Sequence, residues 1–206
     1  MYSFRVECSI RCPRCERPVF LNGPVTALSC RSCRSSIEVP PDFWGGILKE
    51  AVSEMRKLDI GTGSNSTIFG AFSTSLSLAR FDPYCDSCKT DFESPWELRP
   101  GDDYACRECG EVYQVCAPPD WMDDVGLSAV RMLVNADVGE EPAEETTASS
   151  EPVALSCPQC GGWLKVDGSD RLVECDYCSV QVYLPDDLWF RLHPVRRQRR
   201  WFVVCG

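Results

Sequence analysis

The alternation of apolar and polar positions changes character several times along the chain. Tyr2 to Ile10 alternates with a period of two and predicts a strand. Ile47, Leu48, Ala51, Val52, Met55 and Leu58 recur at helical spacing, which predicts a helix over about 43–58. Val125, Leu127, Val130, Leu133 and Val134 predict a second helix over 120–134. Asp42 and Asp120 suit helix N-caps or first-turn acids at the two starts. A third, short helix is expected from about Pro185, cut off by Pro194.

Between the first and second helices, Gly61 to Ser66 reads as a flexible turn. The β-branched and aromatic residues of Thr67–Phe72 and Thr74–Phe81 read as a hairpin. Asp137 to Glu151 holds six acids and no base, a composition that cannot bury apolar surface and predicts disorder. The last apolar run, Trp201 to Cys205, predicts a strand that pairs with one of the preceding units.

Composition adds the dominant feature. Fifteen of 206 residues are cysteine, and only one is histidine. Twelve of the fifteen fall into CxxC pairs: Cys12/Cys15, Cys30/Cys33, Cys85/Cys88, Cys106/Cys109, Cys157/Cys160 and Cys175/Cys178. Taken two by two they form three copies of CxxC–spacer–CxxC, with spacers of 14, 17 and 14 residues. Each first pair follows a leading strand (Tyr2–Ile10, Leu76–Phe81, Val153–Ser156), and each second pair precedes an apolar run, a proline, an acid and a tryptophan. Those tryptophans, Trp44, Trp121 and Trp189, hold equivalent places in the repeat and are expected to pack each helix onto its hairpin.

The N-terminus lacks the basic and apolar regions of a secretory signal, and no run approaches the roughly 18 apolar residues of a membrane span. A cytoplasmic location is expected, where thiols stay reduced and paired cysteines read as metal ligands. Two CxxC turns supply the four thiolates of a tetrahedral zinc ion, so three Zn2+ are expected. Glycine after a knuckle, as at Gly110 and Gly161, suits the left-handed backbone of such turns. The zinc is expected to be structural, because a unit of about 40 residues has too little core to fold alone. Four thiolates leave no open position for catalysis.

At 12–44, 85–121 and 157–189 the chain resembles the zinc-ribbon superfamily, including bacterial double-zinc-ribbon proteins, here in three copies. The resemblance implies a small, metal-stabilised, β-rich α+β fold of three zinc ribbons, each followed by a helix. A treble clef is the nearest alternative, and iron held as in rubredoxin would also suit four thiolates. The expected layout is a first ribbon plus helix at 1–60, a hairpin, second ribbon and helix at 61–136, an acidic linker at 137–152, and a third ribbon with a basic tail at 153–206. Cys8 and Cys116 lie in strand-like segments and are expected to be small buried apolar residues. Cys205 belongs to the final strand.

Charge then weighs the partners. The net charge is −10, but residues 1–41 carry +3 and 42–136 carry −8. Arg11, Arg14, Arg31 and Arg34 around the first knuckles, with Arg196, Arg197, Arg199 and Arg200 in the tail, are the candidates for nucleic-acid contact. No nucleophile constellation or cofactor loop stands out: Gly61 to Thr67 lacks the ending of a phosphate loop. The expectation is a non-enzymatic adaptor for another protein, with nucleic-acid binding in transcription as the alternative, and with no membrane and no small-molecule substrate.

Overall fold

The computed structural model describes residues 1–140, 155–166, 171–185, 188 and 198–206. The chain divides into two compact units, 1–143 with 197–206, and 144–196. The second unit is thus an insertion, in sequence, into the first.

The first unit runs β1 (Tyr2–Arg11), β2 (Pro18–Leu21), β3 (Val25–Ser29), β4 (Ser36–Glu38), α1 (Pro41–Glu54), β5 (Gly63–Phe69), β6 (Ser73–Arg80), β7 (Asp103–Ala105), β8 (Val112–Cys116), α2 (Trp121–Asp124), β9 (Val130–Val134) and β10 (Gly139–Glu140). The second unit has β11 (Leu155–Ser156), β12 (Trp163–Leu164), β13 (Leu172–Glu174) and β14 (Gln181–Tyr183). The chain then returns to the first unit with β15 (Trp201–Cys205).

Strand β15 closes the main sheet, whose order is β5-β6-β1-β15-β9-β8-β7. Its pairings are antiparallel: Tyr2 lies opposite Cys205 and Val6 opposite Trp201 on one side, and Leu133 opposite Val203 on the other. The same edge of β1 continues into β2, from Cys8–Leu21 to Arg11–Pro18.

The sheet separates two cores. Trp201, Val203 and Cys205 face one, with α1 and the first cysteine foursome. Phe202 and Val204 face the other, with Tyr84, Phe92, Tyr113 and two cysteines of the second foursome, Cys85 and Cys106. Burial on both faces explains why β15 is a continuous apolar run rather than an alternating one. On the first face Trp44 is fully buried, donates from Nε1 to the Val25 carbonyl at 2.8 Å, and meets Trp201 edge to face with centroids 6.0 Å apart.

Helix α1 and the 3₁₀ turn Met55–Lys57 that follows it cover the predicted first helix. Its N-cap is Pro40 rather than Asp42, which sits in the first turn. Three corrections follow elsewhere. The predicted helix over 120–134 is only the single turn α2, followed by strand β9. Gly126, at φ 82°, takes the left-handed conformation just past the turn and stops the helix. Val130–Val134 then gains more from pairing between β8 and β15, where four of its five residues are buried. An α-helix follows each of the first two sites, and the helix expected after the third falls outside the described residues.

The predicted turn at Gly61–Ser66 is mostly strand, because β5 starts at Gly63 and pairs with β6 through seven residues. The linker predicted as disordered is structured at its start: Asp137 and Gly139–Glu140 are placed, the latter running parallel to β3. The rest of that linker, Val153 and Ala154 of the third leading strand, the third predicted helix and Trp189 lie outside the described residues. No helix among the described residues is long and apolar enough to cross a membrane.

Candidate metal centres

Each cysteine pair sits on a short turn with one repeated hydrogen-bond scheme. The first cysteine's carbonyl accepts from the N–H four residues on, as in Glu16 to Cys12, Lys89 to Cys85 and Ser179 to Cys175. The first cysteine's own N–H donates to the carbonyl five residues on, as in Cys12 to Arg17 and Cys157 to Gly162. The residue just after the second cysteine is left-handed in all six turns: Glu16, Arg34, Lys89, Gly110, Gly161 and Ser179 have φ between 55° and 74°. Only two of the six are glycine, so the glycine signal in the sequence marked a third of a feature that is universal here.

The turns cap hairpins. In the first site they lie between β1 and β2 and between β3 and β4. In the second they lie inside the Tyr84–Asp91 bridge and between β7 and β8. In the third they lie between β11 and β12 and between β13 and β14. The hairpin tips bring four sulfurs together at Cys12, Cys15, Cys30 and Cys33, at Cys85, Cys88, Cys106 and Cys109, and at Cys157, Cys160, Cys175 and Cys178.

Within each foursome all Sγ atoms lie within 4.8 Å of one another. The closest contacts follow one diagonal rule. Cys12–Cys33, Cys85–Cys109 and Cys157–Cys178 are 3.7, 3.5 and 3.7 Å apart, and Cys15–Cys30, Cys88–Cys106 and Cys160–Cys175 are 3.7, 3.5 and 3.6 Å apart. A tetrahedron with metal–sulfur bonds of about 2.3 Å has edges of about 3.8 Å. The spacing is far beyond a disulfide bond, about 2.05 Å. Donor type, number and spacing therefore fit a four-coordinate thiophilic ion.

Electrostatics points the same way. The first cysteine of every foursome is poised to ionise. Burial, the largest influence on Cys12, raises it, yet the N–H groups of Cys15 and Arg14 and the Ser35 hydroxyl hold it at about 6. Cys85 is also raised by burial, but the Tyr113 hydroxyl and the Cys88 N–H bring it to about 6. Cys157 is lowered to about 7 by the N–H groups of Cys160 and Gln159.

One later thiol in each foursome resists. The Arg17 N–H lowers Cys15, but burial and the crowding of Cys33, Cys30 and Cys12 push it up to about 12. Cys109 and Cys178 reach about 12 in the same way, each against a lowering N–H, from Glu111 and Val180 respectively. Four sulfurs at this spacing cannot all ionise unless a cation sits among them.

Three oxygens near the sulfurs were not anticipated. Ser35 Oγ lies 3.0 Å from Cys33 Sγ, Thr90 Oγ1 lies 3.3 Å from Cys88 Sγ, and Tyr113 Oη lies 3.2 Å from Cys85 Sγ. The first two share a readable signal, a hydroxyl two residues after the second cysteine of a pair. Tyr113 has none, since it reaches its sulfur from another hairpin. Such outer contacts orient and tune thiolate ligands.

The predicted arginines have different fates. Arg11, Arg14, Arg31 and Arg34 are all exposed and flank the first foursome, with Arg11 also reaching the Glu16 carbonyl at 3.4 Å. Arg199 pairs with Asp137, and its N–H donates to Asn22 Oδ1. Arg200 bridges Glu7 at 3.1 Å and Asp86 at 2.6 Å, which raises its pKa further. Arg196 and Arg197 lie outside the described residues.

Cys8 and Cys205 are fully buried in β1 and β15, and Cys116 is half-buried in β8. Burial pushes Cys8 up to about 12 and Cys205 up to about 11. None of the three belongs to a foursome.

Compared with protein-family models, with curated proteins and with solved structures, the chain matches none. The likeness to zinc ribbons rests on the paired knuckles and their twelve cysteines alone.

Proposed function

We propose that the chain is a non-enzymatic adaptor that holds three structural Zn2+ and presents protein-binding surfaces on a zinc-ribbon-like skeleton. The observation that carries this reading is that three sites share one geometry and differ in what they display. Zinc is the cation preferred by a closed tetrahedron of thiolates, and that donor set leaves no position for water or substrate. The sites' task is then to stiffen hairpin tips, and the variable surface around each tip supplies specificity.

The third site displays the most protein-like contact surface. Trp163, Leu172, Tyr177 and Tyr183 are 65, 49, 70 and 57 % exposed in one small unit. Exposed aromatics of this kind are enriched where proteins anchor partners. Residues 144–196 hold four bases and nine acids, which disfavours a phosphate backbone there. The test is capture of partners by the zinc-loaded full chain against a Trp163→Ala/Tyr183→Ala variant with unchanged zinc content. Loss of the same protein band in repeated captures is expected, and equal capture by both forms overturns the assignment to this surface.

A second reading is favoured by one observation, the exposed Arg11, Arg14, Arg31 and Arg34 around the first site. It makes the protein a nucleic-acid-binding accessory of transcription. Binding to DNA and RNA across salt decides it: sub-micromolar affinity with a steep salt slope, lost in the quadruple Arg→Ala variant, would favour it over the adaptor.

A further inference from the structure

The two edges of the main sheet are built differently. One edge, β7, is three residues long and starts at Asp103, beside Asp102. Short length and charge are common ways in which sheets protect an edge. The other edge, β5, is seven residues long, and every one of them is exposed. It carries no lysine, no proline and no acid. The twenty residues from Ile60 to Ala79 contain no charged side chain, in a chain that is 25 % charged. Phe69 at its end is 82 % exposed and Ile68 is 37 % exposed.

The hydrogen-bond parity of β5 is fixed by its hairpin partner. Arg80 N–H donates to the Thr62 carbonyl, and Gly70 N–H donates to the Phe72 carbonyl. Antiparallel ladders alternate, so Ser64, Ser66 and Ile68 direct their peptide groups to β6, while Gly63, Asn65, Thr67 and Phe69 direct theirs to solvent.

We infer that β5 is a self-association edge that pairs with β5 of a second copy, antiparallel about a two-fold axis at Ser66. This register is selected by the strand itself. Gly63 falls opposite Phe69 and Asn65 opposite Thr67, so every outward-directed peptide of one copy meets an outward-directed peptide of the other. All seven residues are used, and the interface is isologous. In this register the exposed Phe69 ring lies across Gly63 of the second copy, where no side chain opposes it.

Charge does not oppose a second copy along this strand. Two chains of net charge −10 repel each other, and β5 is where the approach meets no like charge. The product is one sheet continuous through two molecules. Seven residues of strand pairing form a small interface, so the association is weak and reversible. The inference stands apart from the adaptor reading: a strictly monomeric chain overturns it and leaves that reading intact.

The test is sedimentation velocity of the zinc-loaded full chain over a wide concentration range. A concentration-dependent monomer–dimer equilibrium is expected. Ser66 faces its own copy at the axis, so Ser66→Glu and Ser66→Lys each place like charges in contact. Each alone is expected to weaken dimerisation about fivefold, and an equimolar mixture of the two is expected to restore it. Restoration also shows that both variants fold. Thr67→Pro removes an outward N–H without touching the β5–β6 ladder and is expected to be monomeric. A wild-type monomer at all concentrations overturns the inference. So does dimerisation unaffected by the two Ser66 variants, or a mixture no more dimeric than either alone.

Discussion

The two units use the same knuckles with very different amounts of core behind them. In the first unit, the knuckles of two sites stand on a sheet with apolar side chains packed on both faces, and Trp44, Phe4, Leu48, Leu133 and Trp201 are all fully buried. In the second, the buried apolar residues among those described are Cys157, Leu164, Cys175, Val182, Leu184 and Leu188, and two of the six belong to the cysteine foursome. On the proposed reading, metal in the first unit would reinforce a fold that hydrophobic burial already specifies. In the second it would supply more of what specifies the fold, as in other domains too small to bury a core.

The largest expected effect breaks the first unit and spares the second. Deleting Trp201–Gly206 removes the central strand, five residues buried on both faces. At about 1.5–3 kcal/mol per large apolar side chain, the loss is about 10 kcal/mol, comparable to the whole stability of a domain. Amide exchange should show β1 and β9 unprotected while β13 and β14 keep their protection.

Chelation should do the reverse. With excess chelator, protection in 155–185 is expected to vanish, while β1, β6 and β9 stay protected; simultaneous loss in both units would sink the contrast. Elemental analysis before chelation should find three zinc per chain.

A core substitution gives the next effect. Trp44→Ala is expected to cost about 3–5 kcal/mol in the first unit and leave zinc release from the third site unchanged. Its measure is a denaturant midpoint read from each unit separately.

Acid titration sharpens the comparison further. A thiol whose folded pKa lies below its ordinary 9.0 contributes stability above that value and loses it as pH falls through the folded pKa. That passage comes near 7 for Cys157 and near 6 for Cys12 and Cys85. The thiolate contribution should therefore fade first at the third site as pH falls, and the order of metal release followed with a colorimetric indicator checks it. The smallest effect is Arg200→Ala, which removes a half-exposed bridge to Glu7 and Asp86 and should cost less than about 1 kcal/mol.

The candidate site was legible almost completely, and the fold much less so. Ligands on a CxxC turn are local, and the spacing of 14 to 17 residues is one hairpin-to-hairpin crossing, so Cys12 to Cys178 could be grouped without knowing the sheet. The sheet is non-local. Tyr2 and Cys205 are partners across nearly the whole chain, and nothing near either residue names the other. Val130–Val134 satisfies a helical period and a strand equally well, and only the presence of β8 and β15 on either side decides it. The knuckle conformation was partly hidden because Glu16, Arg34, Lys89 and Ser179 accept a left-handed backbone that glycine would have advertised.

The insertion of one unit within the other also sets a timetable. Strand β1 is synthesised before its partner β15, which emerges only after the whole of 144–196. Until then Phe4 and Val6 lie beside a missing neighbour, and the gap between β1 and β9 is an apolar slot shaped for an extended segment. Closing a loop this long is slow compared with folding a single knuckle hairpin. The third cysteine foursome can assemble while the first unit still waits, so the nascent protein carries an open groove that chaperones, or the wrong strand, can reach.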